Sequence, residues 1–199
     1  MAIRGATVHS KGMTDVGERQ QAGTGLTVPV VLVGMPGCGK TSVGMALAER
    51  LGVPFRDTDE ALVAAARMSI AEIFARDGEA FFRARESEVL RRLLEQGPGV
   101  LSTGGGAFLR AENRDAIAAH GLSVWLRASE PLLWSRVRNR NSRPLLRTDN
   151  PRRTLNELMA AREPFYAKAA LAVDAAPEYS IADMAARVED ALRKAGVVQ

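Results

Sequence analysis

Hydrophobic positions along the chain alternate between short unbroken runs and stretches where they recur every three or four residues. Val28-Pro29-Val30-Val31-Leu32-Val33 is one such run, the pattern of a strand buried on both faces of a parallel sheet. Residues 41–51 follow, with Val43, Leu47 and Leu51 four apart. That is the period of an amphipathic helix, and Gly52 stops it. Val53-Pro54-Phe55-Arg56 predicts a short second strand ending at Asp57-Thr58-Asp59, then a helix over about 60–67. Ser69-Ile70-Ala71-Glu72 has capping-box spacing and opens a short helix through Ala75, broken at Asp77-Gly78. Residues 79–96 predict a long charged helix with Phe82, Val89, Leu90, Leu93 and Leu94 on its apolar side. A third strand, Val100-Leu101-Ser102-Thr103, runs into Gly104-Gly105-Gly106. A helix over 111–119, a fourth strand over 122–126 and a helix capped by Ser129 follow. Residues of about 138–150 are polar, rich in arginine and weakly patterned, as in a mobile lid. A helix over 154–166, a fifth strand over 171–173 and a helix opened by Ser180 and Asp183 end the chain.

Strands alternating with helices mean an α/β fold, here three layers, α/β/α, around a five-stranded parallel sheet. Right-handed crossovers place the C-terminal ends of all strands on one rim, where ligands of such sheets bind. Residues 1–27 carry no apolar period and read as a flexible tail. One domain is expected over 28–199.

Between the first strand and helix stands Gly34-Met35-Pro36-Gly37-Cys38-Gly39-Lys40-Thr41. It fits the phosphate-binding P-loop, in the strand–loop–helix context the motif requires. Glycines allow a tight turn whose backbone N–H groups form a concave anion nest, and the helix N-terminus adds partial positive charge. Gly37, Cys38, Gly39, Lys40, Thr41 and Ser42 are therefore the expected ATP contacts. Lys40 reaches the β- and γ-phosphates and the Thr41 hydroxyl ligates Mg²⁺.

Asp57 and Asp59 stand two apart, so on extended chain their side chains share a face. One carboxylate can hold Mg²⁺ through its waters, and the other can accept a proton from an attacking hydroxyl. The plainer reading is that both cap the following helix. Arg83 and Glu86 lie three apart on the long helix, a spacing that fits a surface ion pair equally well. Gly104-Gly105-Gly106 permits close approach of backbone to a ligand, or merely a turn. Arg136, Arg138, Arg140 and Arg143 stand in or before the lid, where an arginine can close over a transferring phosphoryl group.

Composition narrows the class. The 199 residues are 46% hydrophobic and 25% charged, as in a globular protein, with a formal charge of +4. That excess suits an anionic substrate, and without a basic block no nucleic-acid partner is expected. Cys38 is the one cysteine, which excludes an internal disulfide and fits a reducing cytoplasm. No apolar run is of membrane-spanning length and no signal-peptide core is present, so no membrane partner is expected.

The set GMPGCGKT, FRDTD, SIAEIFARDGEAFFRARE, STGGG, RPLL and REPFY, in this order, resembles the shikimate kinases over residues 28 to about 180. The resemblance implies a P-loop fold like that of nucleoside monophosphate kinases, and transfer of a phosphoryl group from ATP, with Mg²⁺, to the 3-hydroxyl of shikimate. That is a step toward chorismate and the aromatic amino acids. It implies that Asp57 stands near Mg²⁺, that Asp59 contacts the substrate hydroxyls as the base, and that Arg83 and Arg162 grip the substrate carboxylate. Gly104, Gly105 and Gly106 match the wall of the substrate site, Arg143 the lid arginine spanning both substrates, and Arg136 an arginine near the adenine. A monomer is expected. Two rivals stay open on the residues: a kinase for another polyol such as gluconate, and a ligand-sensing module of a regulator.

Overall fold

A computed structural model describes residues 25–138 and 148–198. Its element order is β1 (Val30–Val33), α1 (Lys40–Leu51), β2 (Phe55–Asp57), α2 (Thr58–Ala66), α3 (Ile70–Leu94), β3 (Val100–Ser102), a 3₁₀ turn (Ala107–Leu109), α4 (Ala111–His120), β4 (Leu122–Ala128), α5 (Glu130–Val137), α6 (Pro151–Tyr166), β5 (Leu171–Ala175) and α7 (Ile181–Lys194). The five strands form one parallel sheet in the order β2-β3-β1-β4-β5.

The apolar runs went where their character requires. Val30, Val31, Leu32 and Val33 are completely buried, because β1 is the central strand and helices cover both faces. From β1 the chain crosses leftward through α1 to β2, then turns back through α2 and α3 to β3. The reversal puts α1 on one face with α7, and α3 with α4 on the other. Leu32 pairs with Ser102, and Ser102 with Asp57, so β1, β3 and β2 end in step at one rim. The P-loop, Asp57 and the triple glycine leave the sheet side by side.

Local signals set most boundaries. Both capping boxes form, at Ser69 with Glu72 and at Ser180 with Asp183. The break expected at Asp77-Gly78 is a kink inside α3, where Gly78 takes φ 80°, ψ 174°. Two boundaries moved because a polar side chain reached the backbone first. Asp57 accepts from the N–H groups of Asp59 and Glu60, so α2 starts at Thr58 rather than near 60. Asn150 caps α6 through the N–H of Arg153, with Pro151 in the first turn, so α6 starts ahead of 154. β4 continues to Ala128 because β5 pairs with it to Ala175. Leu26 is buried and bridges Val198, so contacts with the domain reach back before residue 28. Of the expected lid, residues 139–147 lie outside the described residues, as do 1–24 of the expected tail.

Candidate active site

Three glycines of the P-loop hold left-handed or otherwise positive φ: 138° at Gly34, 93° at Gly37 and 107° at Gly39. Other residues pay a steric cost there, so the glycine spacing of the motif is a backbone requirement. Gly39 is also the N-cap of α1, which aims the helix's first N–H groups into the loop. Lys40 folds back over the concavity, its Nζ donating to the carbonyls of Gly34 (2.9 Å) and Met35 (3.1 Å), and is largely buried. Arg136, from α5, donates through Nη1 to the carbonyl of Cys38 at 3.0 Å. The loop opens on a cleft of about 440 Å³ that runs from Asp59 and Gly105 past Thr41 and Ser42 to Tyr179, Ile181 and Met184. Volume, anion nest and cationic edge fit a nucleoside triphosphate.

Thr41 Oγ1 donates to Asp57 Oδ2 at 3.1 Å and lies 3.3 Å from Ser102 Oγ. Hydroxyl and carboxylate oxygens so placed at the mouth of a phosphate loop suit Mg²⁺. Among the described residues no group of three or more His, Cys, Asp or Glu could hold a metal alone. The protein therefore offers the partial shell that Mg²⁺ usually completes with phosphate oxygens and water.

The other half of the site is built around the triple glycine. A methyl group on Gly104 would stand 2.9 Å from both Asp59 Oδ1 and Glu86 Oε1. On Gly105 it would meet Pro36 Cγ at 2.8 Å and Arg162 Nη1 at 3.5 Å. On Gly106 it would collide with the Arg83 guanidinium, 2.8 Å from Nη2. Three consecutive residues without side chains thus let α2, α3, α6 and the P-loop converge. Two anchors fix the wall: the Gly104 N–H donates to the buried Thr58 hydroxyl at 3.3 Å, and the Gly105 carbonyl accepts from Tyr166 Oη at 2.5 Å.

Asp59 has its pKa pushed up to about 6, chiefly by burial and then by the carboxylates of Asp57 and Glu86, against the pull of Lys40 and Arg83. Arg83 Nη1 donates to Glu86 Oε2 at 2.8 Å, and its Nε to Glu79 Oε1 at 3.3 Å. Glu86 is 2% exposed, so the pair is no surface ornament. Burial raises the Glu86 pKa while Arg83 holds it down.

A family model described as shikimate kinase matches residues 36–193. This chain belongs to the shikimate kinase family. A shikimate kinase of Ruegeria pomeroyi is 60% identical over 163 residues, 82% of this chain and 84% of that protein. One of Cereibacter sphaeroides is 54% identical over 188 residues, 94% of this chain and 93% of that protein. That share reaches into the residues before 25, so part of the N-terminal segment is common to both. The structure of a shikimate kinase from Acinetobacter baumannii in complex with shikimate superposes with a TM-score of 0.79 at 34% identity, covering 84% of this chain and 94% of that one.

Within this family site, Gly37, Cys38, Gly39, Lys40, Thr41, Ser42, Asp57, Asp59, Gly104, Gly105 and Arg136 line the cleft. Gly106, Arg83 and Arg162 stand at its glycine wall. Arg143 lies outside the described residues. Contrary to the expectation of extended chain, Asp59 lies in the first turn of α2, so strand alternation is not what aligns it with Asp57. Asp57 does cap the helix, and the same carboxylate meets Thr41 with its other oxygen, so the plain reading and the functional one hold together. Glu86, Ser102, Thr58 and Tyr166 were not legible as site residues. A glutamate three after an arginine on a helix looks the same whether it faces water or core.

Proposed function

We propose that the chain transfers the γ-phosphoryl group of ATP to the 3-hydroxyl of shikimate, giving 3-phosphoshikimate and ADP, with the following division of labour. The P-loop N–H groups and Lys40 bind the phosphates and neutralise charge as it moves toward the leaving oxygen. Thr41 and Asp57 are the residues that would hold Mg²⁺. The ion supplies charge neutralisation and alignment of the phosphates when bound. Arg83 and Arg162 clamp the shikimate carboxylate, a fork geometry that a pair of guanidinium groups suits. Gly104, Gly105 and Gly106 let the ring lie against backbone. Asp59, ionised above about pH 6, accepts the hydrogen bond of the attacking hydroxyl and takes its proton as the new P–O bond forms. Arg136 lies along the nucleotide. Arg143 has the part of the lid arginine between both substrates, on the strength of its RPLL motif.

The observation that carries this reading is the convergence of Asp59, Arg83 and Arg162 on one glycine wall that also touches the P-loop through Pro36. A kinase for gluconate would use the loop and the lid but has no need of that set. Action as a monomer in the cytoplasm belongs to the same proposal, and the one cysteine, Cys38, suits a reducing compartment. Among the described residues no helix is long and apolar enough to cross a membrane. ADP release with shikimate, with gluconate and without acceptor tests the assignment. Release that requires shikimate is expected, and equal release with gluconate would overturn it.

A further inference from the structure

Arg162 makes none of the short ion pairs found among the described residues, yet it must be held over the substrate wall. Arginine loses considerable rotamer freedom when fixed, so something must set its helix. Four residues further along α6, and therefore on the same face, stands Tyr166. Its ring is 1% exposed and stacks on Trp125 of β4, with centroids 6.2 Å apart. Its hydroxyl donates to the carbonyl of Gly105 at 2.5 Å. Gly105 is also the residue whose Cα faces Arg162 Nη1. Tyr166 grips the wall residue that Arg162 overlies, and Trp125 ties the gripping ring to the strand next to β1. Burial pushes the phenol up to about 12, so it stays a hydrogen-bond donor throughout the working pH range, with the Arg162 charge opposing that rise.

We propose that Tyr166 is a positioning residue for the phosphoryl transfer: its hydroxyl latches α6 to Gly105 and so fixes Arg162 at the distance the substrate carboxylate needs. The latch also fixes the C-terminal end of α6 against the substrate wall. It acts through Arg162 and does not touch the nucleotide. This rests on the assignment of Arg162 to the carboxylate.

Tyr166→Phe removes one oxygen and keeps the ring, the stack and the volume. Steady-state kinetics of wild type, Y166F, Arg162→Ala and the double variant test the latch, with melting temperatures alongside. Y166F should raise the shikimate KM by about tenfold, the equivalent of ~1.4 kcal/mol. The ATP KM should stay within about twofold, and the melting temperature should fall by only about 2–4 °C, the effect of a single hydrogen bond in a domain of this size. In the R162A background the same change should add little to KM, because the group it positions is gone. A purely structural tyrosine would lower stability and leave the split between the two KM values unmoved, which would overturn the latch. Equal, multiplying effects of Y166F with and without Arg162 would overturn it too. An unchanged shikimate KM in R162A alone would instead strike the carboxylate assignment.

Discussion

Replacing Asp59 by asparagine should make the protein more stable while it stops turnover. In the folded chain the Asp59 carboxyl has been lifted from 3.8 to about 6, so the native state holds its proton more tightly than the unfolded chain does. Stability linked to that proton is complete below about pH 4 and is lost as pH rises through about 6. Above pH 7 the ionised group costs the native state at most about 3 kcal/mol, from 1.36 kcal/mol for each pH unit of displacement. The cleft is open to water on one side, which brings the cost to about 1–3 kcal/mol. Asparagine keeps the shape and removes the charge, so the repulsion from Asp57 and Glu86 vanishes. For a domain near 200 residues, about 1–3 kcal/mol corresponds to a rise of roughly 2–12 °C in melting temperature. The assay is thermal unfolding of both proteins without ligand, at pH 5 and at pH 8. The variant's advantage should be clear at pH 8 and shrink toward pH 5. A variant no more stable at pH 8, or an advantage equal at both pH values, would refute the electrostatic account. Turnover should fall by about 10²–10⁴, the usual worth of a general base, with ATP binding retained.

In wild type, kcat/KM for shikimate should climb with pH and level off above about 6, as Asp59 ionises; a flat profile from pH 5 to 8 would remove the base from that position. Gly105→Ala should damage shikimate binding more than ATP binding, because its Cβ would press on Pro36 and crowd Arg162; equal loss of both, measured by titration, would speak against a substrate wall. Glu86→Ala should lower stability by about 1–3 kcal/mol, since it leaves the part-buried Arg83 beside a vacancy with only Glu79 as a carboxylate partner; denaturant unfolding that moves by less than about 0.5 kcal/mol would mean the pair is solvated. Cys38 is 1% exposed, with Sγ 3.8 Å from Lys40 Nζ. A thiol reagent should therefore label the native protein far more slowly than the unfolded one, and rapid native labelling would contradict the burial.

Much of the frame could be read from the chain. Unbroken apolar runs mark strands covered on both sides, and β1 fits that rule because it sits at the sheet's centre. The P-loop glycines are legible because their backbone angles admit little else. Capping boxes at Ser69 and Ser180 are local signals that need no tertiary knowledge. What stayed hidden depends on packing between distant segments. The burial of Glu86 is set by the wall two elements later, and nothing within its own helix announces it. The Tyr166 hydroxyl finds a carbonyl 61 residues away, a partner that no periodicity encodes. Tyr179, Ile181 and Met184 reach the nucleotide cleft only because α7 returns across α1. The place of Asp59 in the cleft was legible through the family pattern rather than through strand geometry, since its backbone is helical.

In the proposed reaction one glycine wall brings a shikimate clamp and a base to the phosphate loop. The decisive measurement is a crystal structure with shikimate, Mg²⁺ and a non-hydrolysable ATP analogue. The expected result has the shikimate carboxylate between Arg83 and Arg162, and the 3-hydroxyl within hydrogen-bond reach of Asp59 and facing the terminal phosphate. Shikimate bound with its carboxylate away from both arginines, or with another hydroxyl presented to the phosphate, would contradict it.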